Sequence, residues 1–93
     1  MALTGTFRTP NASKYLVQLC KHFAHKIEVS HTATEGTAHF VFGPAYFNVD
    51  DTALTVRFDL NDPAATQSAK DVIDNHLERF AFREDFKNME WSE

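Results

Sequence analysis

Residues 53–60 read ALTVRFDL, and this stretch decides the fold. Apolar and polar residues alternate strictly along it, with the apolar set formed by Leu54, Val56, Phe58 and Leu60. A period of two residues is typical of a strand that buries one face and leaves the other in water. We therefore expect a strand over 53–60 that packs one side on a core.

Three further strands are predicted upstream of this one. Residues 27–34, 37–42 and 45–49 show the same alternation, and turn signals separate the segments at Glu35-Gly36, Gly43-Pro44 and Asp50-Asp51. Short turns between consecutive strands imply that neighbouring strands run antiparallel. Residues 3–8 alternate in the same way and predict a first strand.

Two amphipathic helices flank the strands. Thr9-Pro10 is a helix-start signal, and a helix over 10–26 follows with the apolar stripe Tyr15, Leu16, Leu19, Cys20, Phe23 and Ile27. Asp62-Pro63 repeats the signal for a second helix ending near Arg83, with the stripe Ala65, Ala69, Val72, Ile73, His76, Leu77 and Phe80. Residues 86–91 are expected to form a short last strand or a tail packed on the rim.

The order β-α-β-β-β-β-α, with a possible final β, predicts an α+β two-layer sandwich. A curved antiparallel sheet of about five strands would carry both helices on one face, in a single domain over residues 1–93. The opposite face would be polar and of mixed charge, presenting Thr4, Thr6, Arg8, Glu28, Ser30, Thr32, His39, Val41, Tyr46, Asn48, Thr55, Arg57 and Asp59.

Charge and cysteine content narrow the class of protein. The 93-residue chain has a formal net charge of −4, and its nine Lys and Arg residues are spread out, which argues against nucleic-acid binding. Cys20 is the only cysteine, so no intramolecular disulfide can form. We see neither a signal peptide nor a membrane span, and we expect a cytoplasmic protein.

Three histidines form the most suggestive pattern. His22 and His25 lie three residues apart on the first predicted helix, and His76 would join them if the two helices pack side by side. Imidazoles bind transition metals, so the trio is a candidate metal or ligand site, although no cofactor is predicted. The alternative is a solvated face beside Lys21 and Lys26, with the His76 ring hydrogen-bonded to a carbonyl or carboxylate.

Three other side chains could have either a reactive or ligand-binding role or a purely structural one. Cys20 could be a nucleophile, but its place on the apolar stripe favours a small buried residue. Lys26 could form a Schiff base or could complement the dipole of its helix. Arg79, with Arg83, could hold an anion, while the plainer alternative is surface ion pairs with Glu78, Glu84 and Asp85.

A group of aromatic residues lies near the end of the chain: Phe80, Phe82, Phe86 and Trp91. We expect these residues to form a cluster at the rim of the sheet. If the cluster is partly exposed, it is a candidate contact with a second copy of the chain or with another protein.

The motifs of both helices resemble those of a small bacterial family, domain of unknown function 2218 (DUF2218). The similarity lies in Tyr15-Leu16, 19–23 (LCKHF) and His25-Lys26, in 76–84 (HLERFAFRE), and in Trp91 as the closing tryptophan. Pro44-Ala45-Tyr46 departs from the family, which has a small polar stretch there. The resemblance implies a sheet backed by two helices, as in the TATA-binding-protein-like arrangement. Members of this family are often encoded near genes for iron–siderophore uptake, and some are labelled aldolases. The resemblance therefore implies a link to iron–siderophore uptake, but it supplies no catalytic residues.

The sequence therefore predicts a small binding or accessory module, linked through the resemblance to bacterial iron–siderophore physiology. The partner would be a small ligand or a protein, with no nucleic acid and no membrane. One alternative is a metal- or lysine-dependent, aldolase-like lyase of small organic acids, and another is a structural homodimerisation module. The ligand or metal candidates are His22, His25, His76, Arg79 and Lys26.

Overall fold

Six antiparallel strands form one sheet, and two helices cover one of its faces. The computed structural model describes Met1–Glu93, with the order β1 Ala2–Arg8, α1 Ala12–Phe23, β2 Val29–His31, β3 Glu35–Phe40, β4 Gly43–Val49, β5 Ala53–Asp59, α2 Thr66–Phe80 and β6 Glu90–Ser92. The strand order across the sheet is β2-β3-β4-β5-β1-β6. This confirms the predicted α+β fold and adds the sixth strand at the β1 edge. Neither helix is long and apolar enough to cross a membrane.

The register of the sheet aligns the apolar residues of successive strands beneath the helices. Leu3 pairs with Phe58, Phe58 with Ala45, and Ala45 with Ala38, and all four are fully buried. They belong to one apolar cluster that also contains Leu16 and the other core residues of α1 and α2. Because side chains alternate along each strand, the residues between them point to the opposite face.

Two predicted turns are wrong. Glu35-Gly36 lies inside β3, and the chain instead turns at 32–34, where the Thr32 hydroxyl accepts the Glu35 N–H at 3.2 Å. Gly43-Pro44 lies inside β4, after a two-residue turn at 41–42. A hydroxyl that satisfies backbone donors makes a turn without glycine, which explains the first error.

The predicted helix ends were also too late. α1 ends at Phe23 rather than near Lys26, because the following N–H groups bond three residues back: His25 to His22 at 3.2 Å and Lys26 to Phe23 at 2.9 Å. α2 ends at Phe80, and a separate turn of 3₁₀ helix covers Phe82–Glu84. At the other end, Asp62 accepts the Ala64 N–H at 2.9 Å, but it caps a separate turn of 3₁₀ helix over Pro63–Ala65; α2 begins after Ala65, which has no side-chain cap.

Asp74 of α2 anchors the last strand. Its carboxylate accepts the backbone N–H of Met89 and the indole N–H of Trp91, each at 2.9 Å. Trp91 pairs with Gly5 of β1, and its ring occupies the space above that glycine. The tail predicted over 86–91 is therefore packed inward, with Phe86 and Met89 buried and Trp91 half-buried.

Gly5→Ala is expected to displace Trp91 from the sheet. A Cβ at position 5 would lie 2.7 Å from the indole ring, so the ring must move, and overpacking of this kind costs about 1–3 kcal/mol. Trp91 is the only tryptophan, so its fluorescence reports the change as a red shift. Thr4→Ala, on the opposite face of the same strand, should leave the emission unchanged. An unshifted spectrum in Gly5→Ala would contradict this packing.

Candidate functional site

His22 of α1 and His76 of α2 meet between the two helices. Their ring centroids are 4.5 Å apart, and the planes are inclined by 56°. The His76 ring also packs edge-on against Phe23 at 5.0 Å, and the His22 ring lies 6.1 Å from Phe80. The side-by-side helix packing that would join His22 to His76 is therefore present.

His25 does not join this pair. α1 ends at Phe23, so His25 lies beyond the helix, and the three-residue spacing no longer places it on the face of His22. Its side chain is exposed and has no ring contact with His22 or His76. No group of three His, Cys, Asp or Glu side chains is placed to hold a metal ion. The structure therefore brings His22 and His76 together and leaves His25 apart.

The hydrogen bond of His76 determines which of its nitrogens is free. Nδ1 lies 2.6 Å from the carbonyl oxygen of Val72. A carbonyl only accepts, so Nδ1 carries the proton and, in the neutral ring, Nε2 keeps its lone pair. The structure thus shows the hydrogen bond from the His76 ring to a backbone carbonyl that the sequence analysis gave as one alternative. In the neutral ring, Nε2 remains a free hydrogen-bond acceptor.

His22 is exposed at the helix surface and lies beside several positively charged groups. Its pKa is lowered chiefly by desolvation, and then by the charges of His76, His25, Lys26 and Arg79. A pKa below the ordinary value near 6.5 leaves His22 mostly uncharged at neutral pH. The positive charges of Lys26 and Arg79 beside it, with no carboxylate lining the cavity next to it, make a bound negative charge favourable here.

A cavity of about 220 Å³ opens beside the two imidazoles. We call it the helix pocket, and its walls are His22, Phe23, Lys26, Ile27, Phe40, Val72 and His76. At about 30 Å³ per water molecule, the space holds roughly seven waters, so it suits a compact ligand. Sequence reasoning missed Phe40, Ile27 and Val72 as site residues because their apolar periodicity gives no signal beyond that of a core.

The aromatic side chains fix the inner wall of the helix pocket. Phe23 meets Phe40 edge-to-face at 5.1 Å, and Phe40 stacks on Phe42 at 5.3 Å with nearly parallel planes. These contacts hold the rings in the fixed geometry of an aromatic cluster. The helix pocket therefore has an apolar wall and, at its rim, the nitrogens of His22, His76 and Lys26.

The other sequence candidates lie outside this pocket. Arg79 is exposed and acts on His22 only through its charge. The surface ion pairs expected for Arg79 and Arg83 are absent, and the Arg83 guanidinium lies instead over the Phe82 ring at 5.5 Å. Phe82 is 66% exposed, whereas Phe86 of the predicted rim cluster is buried.

Cys20 is a buried core residue. It is fully inaccessible and packs opposite Gly36 of β3, and burial raises the pKa of its thiol to about 11. A thiol nucleophile needs the opposite, a lowered pKa and access to solvent. The plainer interpretation of Cys20 fits this environment.

Comparison with known proteins gives a family and a structural relative. Residues 4–92 match the DUF2218 family, described as "uncharacterized protein conserved in bacteria". The chain is similar to PA4090 from Pseudomonas aeruginosa, solved by NMR, with 26% identity and a TM-score of 0.78 over 98% of this chain and 94% of that one. No curated protein matches the sequence.

Proposed function

The chain belongs to the DUF2218 family of uncharacterised bacterial proteins, and we propose that it is a small binding module whose helix pocket holds a compact aryl carboxylate. The observation that carries this proposal is the composition of that pocket. An apolar wall of aromatic and aliphatic side chains faces a rim of three nitrogen groups, without any carboxylate. A ligand with an apolar body and one negative charge complements both parts.

The wall supplies the affinity for the body of the ligand. Phe23, Phe40, Ile27 and Val72 offer apolar surface that a planar ring can cover, and burial contributes roughly 25 cal/mol per Å² of apolar area removed from water. The cavity is smaller than the roughly 300–1,000 Å³ of drug-sized sites, which favours a single ring over a larger molecule.

The rim supplies the selectivity for charge. Lys26 is exposed at the opening, where its ammonium group can pair with the carboxylate of a ligand. The charge of a bound carboxylate would raise the depressed pKa of His22, so binding is coupled to proton uptake. The affinity should therefore increase as the pH falls from about 8 to 6, as long as the carboxylate stays ionised.

A titration followed by two-dimensional NMR tests the proposal. Benzoate should shift the amides of Phe23, Phe40 and Val72, while benzyl alcohol should bind more weakly and benzylamine should not bind. Lys26→Gln should weaken benzoate about fivefold, the effect of roughly 1 kcal/mol for an exposed ion pair. Lys21→Gln, an exposed lysine of α1 that does not border the pocket, is the matched control.

A second variant blocks the pocket without removing charge. Val72→Leu adds a methylene to the wall and should reduce the affinity for benzoate, because it occupies part of the ligand's space. Binding that is unchanged in both Lys26→Gln and Val72→Leu, or equal for benzoate and benzylamine, would contradict the proposal.

Two broader ideas bear on the same pocket. The resemblance alone implies a role in bacterial iron–siderophore physiology. If the protein has that role, the helix pocket should bind 2,3-dihydroxybenzoate at least as tightly as benzoate. The lyase alternative needs a metal or a Schiff-base lysine. The chain has no group of three side chains placed to hold a metal, and Lys26 is exposed, whereas a Schiff-base lysine is activated by desolvation or by a neighbouring cation. We therefore propose binding rather than turnover.

A further inference from the structure

The sheet face opposite the helices carries an ordered array of polar side chains. Register aligns one cross-strand row as Ser30, Thr37, Tyr46, Arg57 and Thr4, and the next row as Glu35, Asn48, Thr55 and Thr6. Neighbouring strands are about 4.8 Å apart, so the row from Thr37 to Arg57 spans roughly 10 Å. Most of these residues lie on β3, β4, β5 and β1, which are paired on both sides, so the array forms a platform across the sheet.

A depression lies over this platform. Its volume is about 580 Å³, and we call it the open-face depression; its walls include Ser30, Thr32, Glu35, Thr37, Tyr46, Asn48, Thr55 and Arg57. Seven of these side chains, all except Thr32, form no hydrogen bond or ion pair within the protein. Elsewhere, carboxylates such as Asp50, Asp74 and Glu84 are satisfied internally. The donors and acceptors of the depression are thus free for a ligand.

Arg57 is the only lysine or arginine in the open-face depression. Its guanidinium lies 4.6 Å from the centroid of the Tyr46 ring, so stacking restricts its orientation. No carboxylate lies within 4.0 Å of it. A planar guanidinium held in this way can bind a carboxylate or phosphate through two parallel hydrogen bonds.

We propose that the open-face depression binds a small hydroxylated anion, such as a sugar phosphate or a hydroxy acid. Arg57 holds the acidic group. The hydroxyls of Thr37 and Thr55 and the amide of Asn48 bond the ligand's hydroxyls, and Glu35 accepts from them at the edge. One Arg beside one Glu matches a single acidic group better than a polyanion such as nucleic acid, which needs several cations.

NMR titration with four probes tests this site. Glucose 6-phosphate and gluconate should shift the amides of Thr37, Tyr46 and Arg57, inorganic phosphate should bind more weakly, and glucose should give no shifts. If only the phosphate ester binds, the acidic group is a phosphate, and if only gluconate binds, it is a carboxylate. Arg57→Gln should weaken the bound probe at least tenfold, and Thr37→Val about fivefold. Arg83→Gln, on the helix side, is the control.

Several outcomes would overturn the proposal. One is that neither glucose 6-phosphate nor gluconate shifts any amide at 20-fold excess. Another is that glucose binds as tightly as these anions. A third is that Arg57→Gln leaves the affinity for them unchanged. Shifts confined to the helix pocket would also overturn it while leaving that pocket's proposed role intact. Arg57→Lys keeps the charge but loses the paired geometry, so its affinity should fall severalfold; wild-type affinity in this variant would overturn the paired contact.

Discussion

Gly43→Ala is expected to lower the free energy of unfolding by about 3 kcal/mol or more, as measured by urea denaturation. Gly43 has φ 127°, a conformation that L side chains rarely adopt. It directly follows the turn at 41–42, whose two residues have negative φ, so the positive φ falls on the glycine after the turn, as in hairpins with a glycine bulge. An added Cβ would also lie 2.2 Å from the carbonyl oxygen of Asp59.

The clash at Gly43 cannot relax cheaply because it involves backbone on both sides. The chain after Asp59 is fixed by hydrogen bonds from Leu60 N–H to Met1 at 2.8 Å and from Asn61 N–H to Phe42 at 3.0 Å. Gly36→Ala is the matched control, since its Cβ would meet the Cys20 sulfur at 2.9 Å without a strained φ. It should cost less and should be partly rescued by Cys20→Ala. Near-normal stability in Gly43→Ala would contradict the turn geometry.

Glu84→Gln is expected to lower the free energy of unfolding by about 2–4 kcal/mol at pH 7. The Glu84 carboxylate accepts from the Thr9 hydroxyl at 2.6 Å, from the Asn11 amide at 3.1 Å and from the Tyr15 hydroxyl. It joins the turn after α2 to the start of α1. The amide of glutamine replaces one acceptor with a donor, so it leaves one of the buried hydroxyls without a partner.

The pH dependence of stability distinguishes this network from simple packing. Burial tends to raise the pKa of Glu84, but the three hydrogen bonds outweigh it and hold the pKa below its ordinary value. Ionised Glu84 therefore stabilises the fold fully above its unfolded pKa of about 4.3, and this contribution is lost as the pH falls through the lower folded value. Burial, assisted by Glu84, raises the pKa of Tyr15 to about 12.

Denaturation midpoints between pH 7 and 3 check this second prediction. The wild type should lose more stability over this range than Glu84→Gln, so that the two curves converge in acid. Glu78→Gln, an exposed neighbour without a hydrogen-bond partner, should follow the wild type. A constant difference between wild type and Glu84→Gln at every pH would show that ionisation of Glu84 is not the cause.

Local periodicity predicted the elements of this fold but not the contacts between distant residues. The alternation over 53–60 and the stripe from Tyr15 to Phe23 specify faces, and the structure confirms both. The Glu84 network joins residues 69–75 positions apart, and no local pattern encodes such a distance. From the sequence, Glu84 was placed among surface ion pairs, whereas its hydrogen-bond partners in the structure are the uncharged side chains of Thr9, Asn11 and Tyr15.

The contacts of the candidate site were also not predictable from local periodicity. Sequence spacing paired His22 with His25, but the helix ended two residues before His25, and packing paired His22 with His76 instead. The polar face was predicted residue by residue, whereas the depression on it is lined by residues of four strands and forms only when these strands are aligned in the sheet. The stacked Tyr46 and Arg57 come together only through the register of β4 and β5.

Intermolecular nuclear Overhauser effects between benzoate and isotope-labelled protein test the central claim most directly. The account predicts contacts from the ring protons of benzoate to the methyl groups of Val72 and the rings of Phe23 and Phe40, because these side chains form the apolar wall. Contacts to other parts of the surface, or saturating benzoate that shows none to these side chains, would contradict the proposal that the helix pocket is the binding site.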